Sequence, residues 1–489
     1  MSARLTSRKK IWLPFILAAA LTALLTLTWD APQVWAGADQ DPAAAVKSTP
    51  AAASLYLPLI LTQPPIPQPV INVPYLGAEP ADPDAFEPAI FWLGQVTSSL
   101  NSADVRLWHY DQKLKIVLHI IDRQLWYDET PSPASLEDWD AVTLLLDLQG
   151  GAEDSPGAST YRFISQLGNS PADRAAYQGN GAGWSAIPIP FTAETTWRGS
   201  TGPNSGADAK GWQLTWEIPF SELGLPARPS AGTEWRLAVL LHDRDEAAGS
   251  PAIPDQTWPR DAQASVPAGW GRMRFGLPAY NQPPGAAQGS TTIRNGLDGV
   301  HVVDGHVGGH TICGADLANH WEAWGEANYA GYSQINIQNQ WDISDYPCFS
   351  KYYITFPLDA IPAGKTIHEA NLSMFLFGNA GGGEWGPPPD SFIQVATVAE
   401  DWDEGTLNWN NAPRLLENYG GTWVQPVQDA GQGAYYWDVS RALAAAYQAG
   451  QPLRLALYSI DGERHSGKYF WSADISGEKS PTLHITWGE

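Results

Sequence analysis

The stretch QLTWEIPF puts Leu214, Trp216, Ile218 and Phe220 on one side and Gln213, Thr215 and Glu217 on the other, a period of two that predicts a β-strand with one buried face. KLKIVLHIID, DAVTLLLDL and EWRLAVLLHD behave similarly, with more apolar residues on both faces. The second half of the chain repeats the style in KYYITFPLD, ANLSMFLFG, PLRLALYSI and TLHITW. A helix is predicted at DVSRALAAAYQAG, opened by Asp438 or Ser440 as a cap and closed by Gly450. Many short strands, Gly/Pro turns and little helix predict an all-β protein made of two antiparallel, jelly-roll-like β-sandwich domains in tandem.

The breakers place the boundaries. AGADQDPAAAVKSTPAAAS and TQPPIPQPVINVP carry no periodicity and read as a semi-extended linker over residues 39–74. GLPAYNQPPGAAQGS makes a second break, with a linker at 278–287, so the domains fall at 75–277 and 288–489. Ahead of them, Arg4, Arg8, Lys9 and Lys10 precede the apolar run IWLPFILAAALTALLTLT, and Ala36-Gly37-Ala38 offers a small-residue cleavage site. Residues 1–38 therefore read as a secretory signal peptide. The alternative is an uncleaved anchor, since residues 11–28 are long enough for a membrane helix. LYLPLIL, within the linker, is too short to span a bilayer and reads as a first strand or a sorting feature. The expected product is secreted or attached at the cell surface, monomeric, and without a membrane span once cleaved.

Composition narrows the partners. A formal charge of −24 over 489 residues, with no basic stripe beyond the N-terminus, argues against nucleic acid, whose binding depends on neutralising phosphates. It is compatible with hydroxyl-rich ligands and with Ca²⁺. Some of the 24 tryptophans must be core, and so many leave room for an exposed binding platform as well. Cys313 and Cys348 are the only cysteines, and in an exported chain they are expected to pair as a structural staple.

The densest polar stretch, DWDEGTLNWNNAP at 401–413, looks like an active site but follows the strand FIQVATVAE and ends at a proline. It reads as a tight connection in which Trp402 and Trp409 anchor the loop, while Asp403 or Glu404 accepts backbone hydrogen bonds. Catalytic carboxylate pairs of glycosidases stand about 5 to 9.5 Å apart across a cleft, which neighbours on one loop do not provide. Asp401, Asp403 and Glu404 offer hard oxygens for Ca²⁺, while HDRDEAAG at the end of a strand reads as a solvated turn, with Ca²⁺ at Asp243 and Asp245 as the alternative. His301, His306 and His310 lie in GVHVVDGHVGGHTICG without a zinc-site pattern and read as a surface loop. GNGAGW joins no strand to a helix, and no G-x-S-x-G elbow occurs.

LWHYDQKLKIVLHIIDRQLWYDE, EDWDAVTLLLDLQG, GWQLTWEIPFSELGL and DQTWPRDAQASVPAGWGRMRFG follow one another in an order that resembles family 9 carbohydrate-binding modules across nearly all of the first domain. The resemblance implies a β-sandwich that holds sugars between tryptophan rings and carries structural Ca²⁺. A haem-binding relative of this fold is disfavoured, because the domain offers only Met273, few histidines and no C-x-x-C-H. In the second domain, YYITFPLDAIPAGKTIHEANLSMFLFG, then the W-D-E-x-T-x-x-W-N-x-x-P run, then WDVSRALAAAY and SPTLHITW, resemble the DNRLRE family, also classed as family 96 carbohydrate-binding modules. Members are secreted modules, some of which bind uronic-acid polymers.

Sugar faces stack on aromatic rings while polar side chains bond the hydroxyls. Trp126 and Tyr127 in LWYDE, Trp184 in GNGAGWS and Trp258 in PDQTWPRD sit in turn-like context and are the expected ligand contacts, whereas Trp216 and Trp235 lie in strand patterns and are expected in the core. The expected function is non-catalytic retention of a polysaccharide or surface glycan, with two modules on one chain gaining affinity if the linker lets both reach the same polymer. Two alternatives stand beside it: a structural or adhesive envelope protein without sugar binding, and a polysaccharide hydrolase or lyase.

Overall fold

The computed structural model describes residues 67–489 apart from 80–85, 152, 200, 248–252, 312, 314–319, 341–345, 384–385 and 463–464. The expected signal peptide, LYLPLIL and most of the N-terminal linker lie outside the described residues. The strands, in chain order, are β1 (Val70–Val73), β2 (Ala89–Gly94), β3 (Ser102–Tyr110), β4 (Lys113–Ile121), β5 (Ala141–Asp147), β6 (Thr160–Gln166), β7 (Arg174–Gly179), β8 (Trp184–Ala186), β9 (Thr192–Gly199), β10 (Ala209–Pro219), β11 (Glu234–His242), β12 (Gln256–Trp258) and β13 (Gly271–Phe275). They continue with β14 (Gly289–Arg294), β15 (Val303–Gly308), β16 (Gln334–Asn339), β17 (Phe349–Phe356), β18 (Thr366–Asn379), β19 (Ser391–Val398), β20 (Leu415–Val424), β21 (Gly433–Asp438), β22 (Leu453–Ser459), β23 (Lys468–Trp471) and β24 (Thr482–Gly488).

The first sandwich faces a β2-β3-β4-β10-β9 sheet with one in which β8-β7-β6-β5-β11 continue into β13 and β1. In β10 the alternation read from the sequence is realised: Trp212, Leu214, Trp216 and Ile218 are buried, and Gln213, Thr215 and Glu217 are only half-buried. Trp216 and Trp235 are both core residues. The second sandwich stacks β15-β17-β22-β19-β20 on a sheet in which β18 is flanked by β21 on one side and by β24 and β23 on the other. Between β21 and β22 runs the expected helix, Ser440–Gln448, with Asp438 Oδ1 accepting from the Ser440 N–H at 2.9 Å and the left-handed Gly450 (φ +62°) at its exit. Cys313 and Cys348 form a disulfide.

The two sandwiches share a seam. β1 lies in the stretch read as linker; it is buried, pairs parallel with β13 and bridges to β20 at Val70 and Glu417. Three side-chain amides of the second sandwich act toward the first as peptide groups do, each giving one donor and one acceptor. Asn418 Oδ1 accepts from the Asn72 N–H (2.7 Å) and its Nδ2 donates to the Asn72 carbonyl (3.0 Å). Gln394 pairs with the Ile90 N–H (3.0 Å) and carbonyl (2.8 Å). Asn410 pairs with the Val96 N–H (2.7 Å) and carbonyl (3.0 Å).

Apolar packing follows the same line. Trp92 meets Tyr458 edge-on at 5.9 Å, and Trp409 packs on Trp324 at 4.7 Å while donating to Ser102 Oγ at 3.2 Å. One core cluster accordingly runs from Leu118 and Trp216 through Trp92 to Trp409 and Tyr353, and the second sandwich keeps another of its own.

His306, expected in a surface loop, is instead buried in β15, and its ring stacks on Tyr329 at 4.5 Å. Burial holds it down to about 3, and alternation along the strand is what turns it inward. Asp304, two residues earlier, faces the same side. Burial pushes it up to about 7, although it accepts hydrogen bonds from the Ala473 N–H (2.8 Å) and the Tyr352 hydroxyl (2.7 Å).

Two outcomes are expected. Asn410→Ala strips the Val96 peptide groups of their partner and should cost about 1–3 kcal/mol in urea denaturation followed by tryptophan fluorescence. Asp304 holds a proton in the fold that the unfolded chain has released, so its contribution favours the fold at acid pH and is lost as pH rises from about 4 through about 7. Asp304→Asn removes that dependence: relative to wild type, the melting temperature of the variant should improve steadily from about pH 4 to about pH 8.

Candidate functional site

Two constellations carry chemistry, one at the end of each sandwich's strands or faces. The first is a carboxylate group at one end of the first sandwich. β4 is followed by Asp122, β5 is preceded by Asp140 and β11 is followed by Asp243, so each of three strand ends is flanked by one acid. Their nearest carboxylate oxygens all lie within 4.8 Å of one another. Asp140 is held by the backbone N–H groups of Trp126 (2.6 Å) and Arg244 (2.8 Å). Asp122 Oδ2 and both Asp243 oxygens are buried with no hydrogen-bond partner among the described residues.

The electrostatics match that geometry. Burial, then the charge of Asp140, drives Asp122 well above the usual carboxylate range. Burial, then Asp243, does the same to Asp140, and burial followed by Asp122 and Asp245 pushes Asp243 up to about 10. Orphaned oxygens of Asp122 and Asp243, converging on an Asp140 held by backbone N–H groups, are the donor set of an oxygen-seeking divalent cation such as Ca²⁺. Asp243 and Asp245 also line a cleft of about 460 Å³ together with Glu137, Arg244 and Asp255.

The acids of DWDEGTLNWNNAP do not converge in this way. The Asp401 side chain is 82% exposed and lies 3.3 Å from Arg454 Nε. The Asp403 carbonyl closes the turn by accepting from Leu407 at 2.9 Å, and Glu404 Oε1 accepts from the Gly331 N–H at 3.0 Å. Among the described residues the Asp122, Asp140 and Asp243 group is the one set of three acids close enough to share an ion, and Asp401, Asp403 and Glu404 are not brought together in that way.

The expected sugar-binding rings of the first domain are largely committed to packing. Trp258 is 1% exposed and lies on Phe91 with ring centroids 4.2 Å apart, so it has no face for a ligand. The cause is that TW of PDQTWPRD belongs to β12, paired with β11, and not to an open turn. Trp184 opens β8 and packs against the Leu145, Leu240 and Trp270 cluster. Trp126 and Tyr127 are half-buried: Tyr127 leans on the core with its N–H bonded to Asn204 Oδ1 at 2.9 Å, and Trp126 is tied to the acid group through its own N–H.

The second constellation is an aromatic row on the outer sheet of the second sandwich. In β18, Leu372, Met374 and Leu376 point into the core, so Ser373, Phe375 and Phe377 point out. β23 turns Phe470 inward and Tyr469 and Trp471 outward, and β21 sets Tyr436 opposite Ser373. Phe377 stacks on Trp471 at 4.3 Å with 29° between the rings, and Tyr436 is 56% exposed. Polar groups flank the row: Ser373 Oγ and His484 Nε2 stand 3.2 Å apart, Gln432 donates to the Phe377 carbonyl at 3.2 Å, and Lys479 Nζ hangs 4.9 Å above Phe375.

Neither constellation was fully read from the sequence. HIID, WDAV and LLHD each set an Asp at the edge of an apolar strand, a signal that could have grouped Asp122 and Asp140 with Asp243. The outward phase of ANLSMFLFG and KYFW shows the aromatic row once the inward residues are assigned.

Residues 322–487 match the model of carbohydrate-binding module family 96. Among solved structures, the chain is similar to a family 9 carbohydrate-binding module from Caldicellulosiruptor kristjanssonii in complex with glucose, at 15% identity over 44% of this chain and 100% of that one, with a TM-score of 0.30. It is likewise similar to a family 9 module from the same organism in complex with cellotriose, at 17% identity over 44% of this chain and 98% of that one, with a TM-score of 0.30. These are the two families that the sequence motifs resemble. No curated protein matches the chain.

Trp258→Ala is expected to act on stability. Emptying a buried indole site should cost about 3–5 kcal/mol in urea denaturation, and any polysaccharide retention should persist in the fraction that stays folded.

Proposed function

We propose that the chain is an exported, non-catalytic carbohydrate-binding protein whose second sandwich holds polysaccharide along the aromatic row of its outer sheet. The row is the observation that carries this function. Phe375, Phe377, Trp471 and Tyr436 all face outward from one sheet, and hydroxyl, amide, imidazole and ammonium groups border them. Ring faces accept the C–H side of a pyranose, and polar neighbours fix its hydroxyls. The match of residues 322–487 to carbohydrate-binding module family 96 supports the same ligand class. The disulfide and the basic, apolar, small-residue order of the N-terminus support export.

The Asp122, Asp140 and Asp243 group is the proposed structural Ca²⁺ site. An ion there would tie together strand ends from both sheets of the first sandwich and offset the repulsion of three buried acids. Asp245, beside it, would add negative potential without being one of the three ligands.

Affinity electrophoresis through neutral and acidic polysaccharides tests the aromatic row. Trp471→Ala and Tyr436→Ala should each weaken retention roughly tenfold with an unchanged far-UV spectrum, and sustained release of reducing or unsaturated ends would count against a non-catalytic protein. For the cation, calorimetry in CaCl₂ against EDTA should show a higher melting temperature with Ca²⁺, a gain that Asp243→Asn abolishes. Equal melting in both buffers would refute the site.

A further inference from the structure

A cavity of about 220 Å³ lies in the seam between the two sandwiches, lined among others by Trp92, Gln95 and Arg260 from the first and by Lys351, Asn410 and Arg414 from the second. Lys351 rises from the middle of β17 and is 1% exposed. Its Nζ sits 3.4 Å from the centroid of the Trp409 ring, 4.9 Å from that of Trp92 and 5.4 Å from that of Tyr458. These π faces cover part of the ammonium, but an ammonium has three N–H donors, and among the described residues no hydrogen-bond acceptor reaches Lys351 Nζ. A buried lysine whose N–H donors find no acceptor, facing a cavity that Arg260 and Arg414 also line, offers a place for an anion, whose charge would restore the ammonium that burial disfavours.

The rest of the lining agrees. Arg414 spends Nη1 on the Thr257 carbonyl, and burial, then Arg260, lowers it to about 10. Burial drives Lys351 well below the usual lysine range, with Asp104 opposing. The acids of the lining are Asp255, engaged by His242 Nδ1 at 2.9 Å, and Asp261, which is exposed at the mouth. Arg260 pairs with Glu400 outside the lining at 3.5 Å, so Lys351 and the free guanidinium nitrogens of Arg414 are the donors left for an anion.

We infer that the inter-sandwich cavity binds a small oxyanion, a carboxylate or a sulfate ester carried on a single sugar ring, with the oxyanion against Lys351 Nζ. The cavity is formed only where the two sandwiches meet, so neither module contains it alone. The sugar part of this inference rests on the carbohydrate-binding function proposed above; the oxyanion part rests on the lysine.

Isothermal titration of the full chain with D-glucuronate, glucose 6-sulfate and glucose tests it. One of the two anionic sugars should bind at least about tenfold more tightly than glucose, and which one identifies the oxyanion. Lys351→Met, which keeps an unbranched apolar side chain among the rings, should remove that preference. In wild type the preferred sugar should also protect Lys351 from reductive methylation, read by mass spectrometry, a measurement that needs no variant to fold. Equal binding of all three sugars, or absence of both anionic preference and protection, would overturn the inference. Retention of neutral polysaccharide on the outer sheet should be the same in Lys351→Met as in wild type, so failure of the aromatic row and failure of the cavity are separately visible.

Discussion

Backbone polar groups at the edge of a sheet need partners, and in this protein the second sandwich supplies them to the first through carboxamides. Asn418, Gln394 and Asn410 each engage both the N–H and the carbonyl of one residue, at Asn72, Ile90 and Val96. A carboxamide does what a further strand would do, but it reads one position at a time, so three of them set the mutual register of the two sandwiches. A seam built from directional pairs in a buried setting holds one geometry, because any slip leaves several groups unsatisfied at once.

That constraint makes the other features possible. With the sandwiches held in register, Trp92 and Tyr458 can approach, Lys351 can be caged between them and Trp409, and a polar cavity can persist next to a continuous core. It also presents the two sandwiches as one body, on which the aromatic row and the acid group keep fixed places.

The loop DWDEGTLNWNNAP, the most conspicuous stretch of the chain, belongs to this seam. Asn410 clasps Val96, Trp409 reaches Ser102, and the Pro413 carbonyl accepts from the Tyr353 hydroxyl at 3.1 Å. Its acids stay local, on Arg454, on their own turn and on Gly331. Density of polar residues in sequence thus marked a place where buried backbone had to be satisfied, which is a requirement as demanding as catalysis and written in the same residue types.

Local patterning by itself determined much of the fold. Period-two alternation fixed the strands and their buried faces in β10 and β18, the Asp438 to Gly450 segment announced its helix, and the two cysteines their pairing. These are properties of neighbours in the chain, where side-chain direction follows from backbone geometry. Tertiary structure alone decided exposure and convergence. It buried Trp258 on Phe91, turned His306 inward, brought Asp122 and Asp140 to Asp243, made VINV a strand of the seam and aligned Phe377 with Trp471. Each depends on which strands become neighbours across a sheet or a sandwich. A one-dimensional pattern records which way a residue points, and only the assembled sheets decide what it points at.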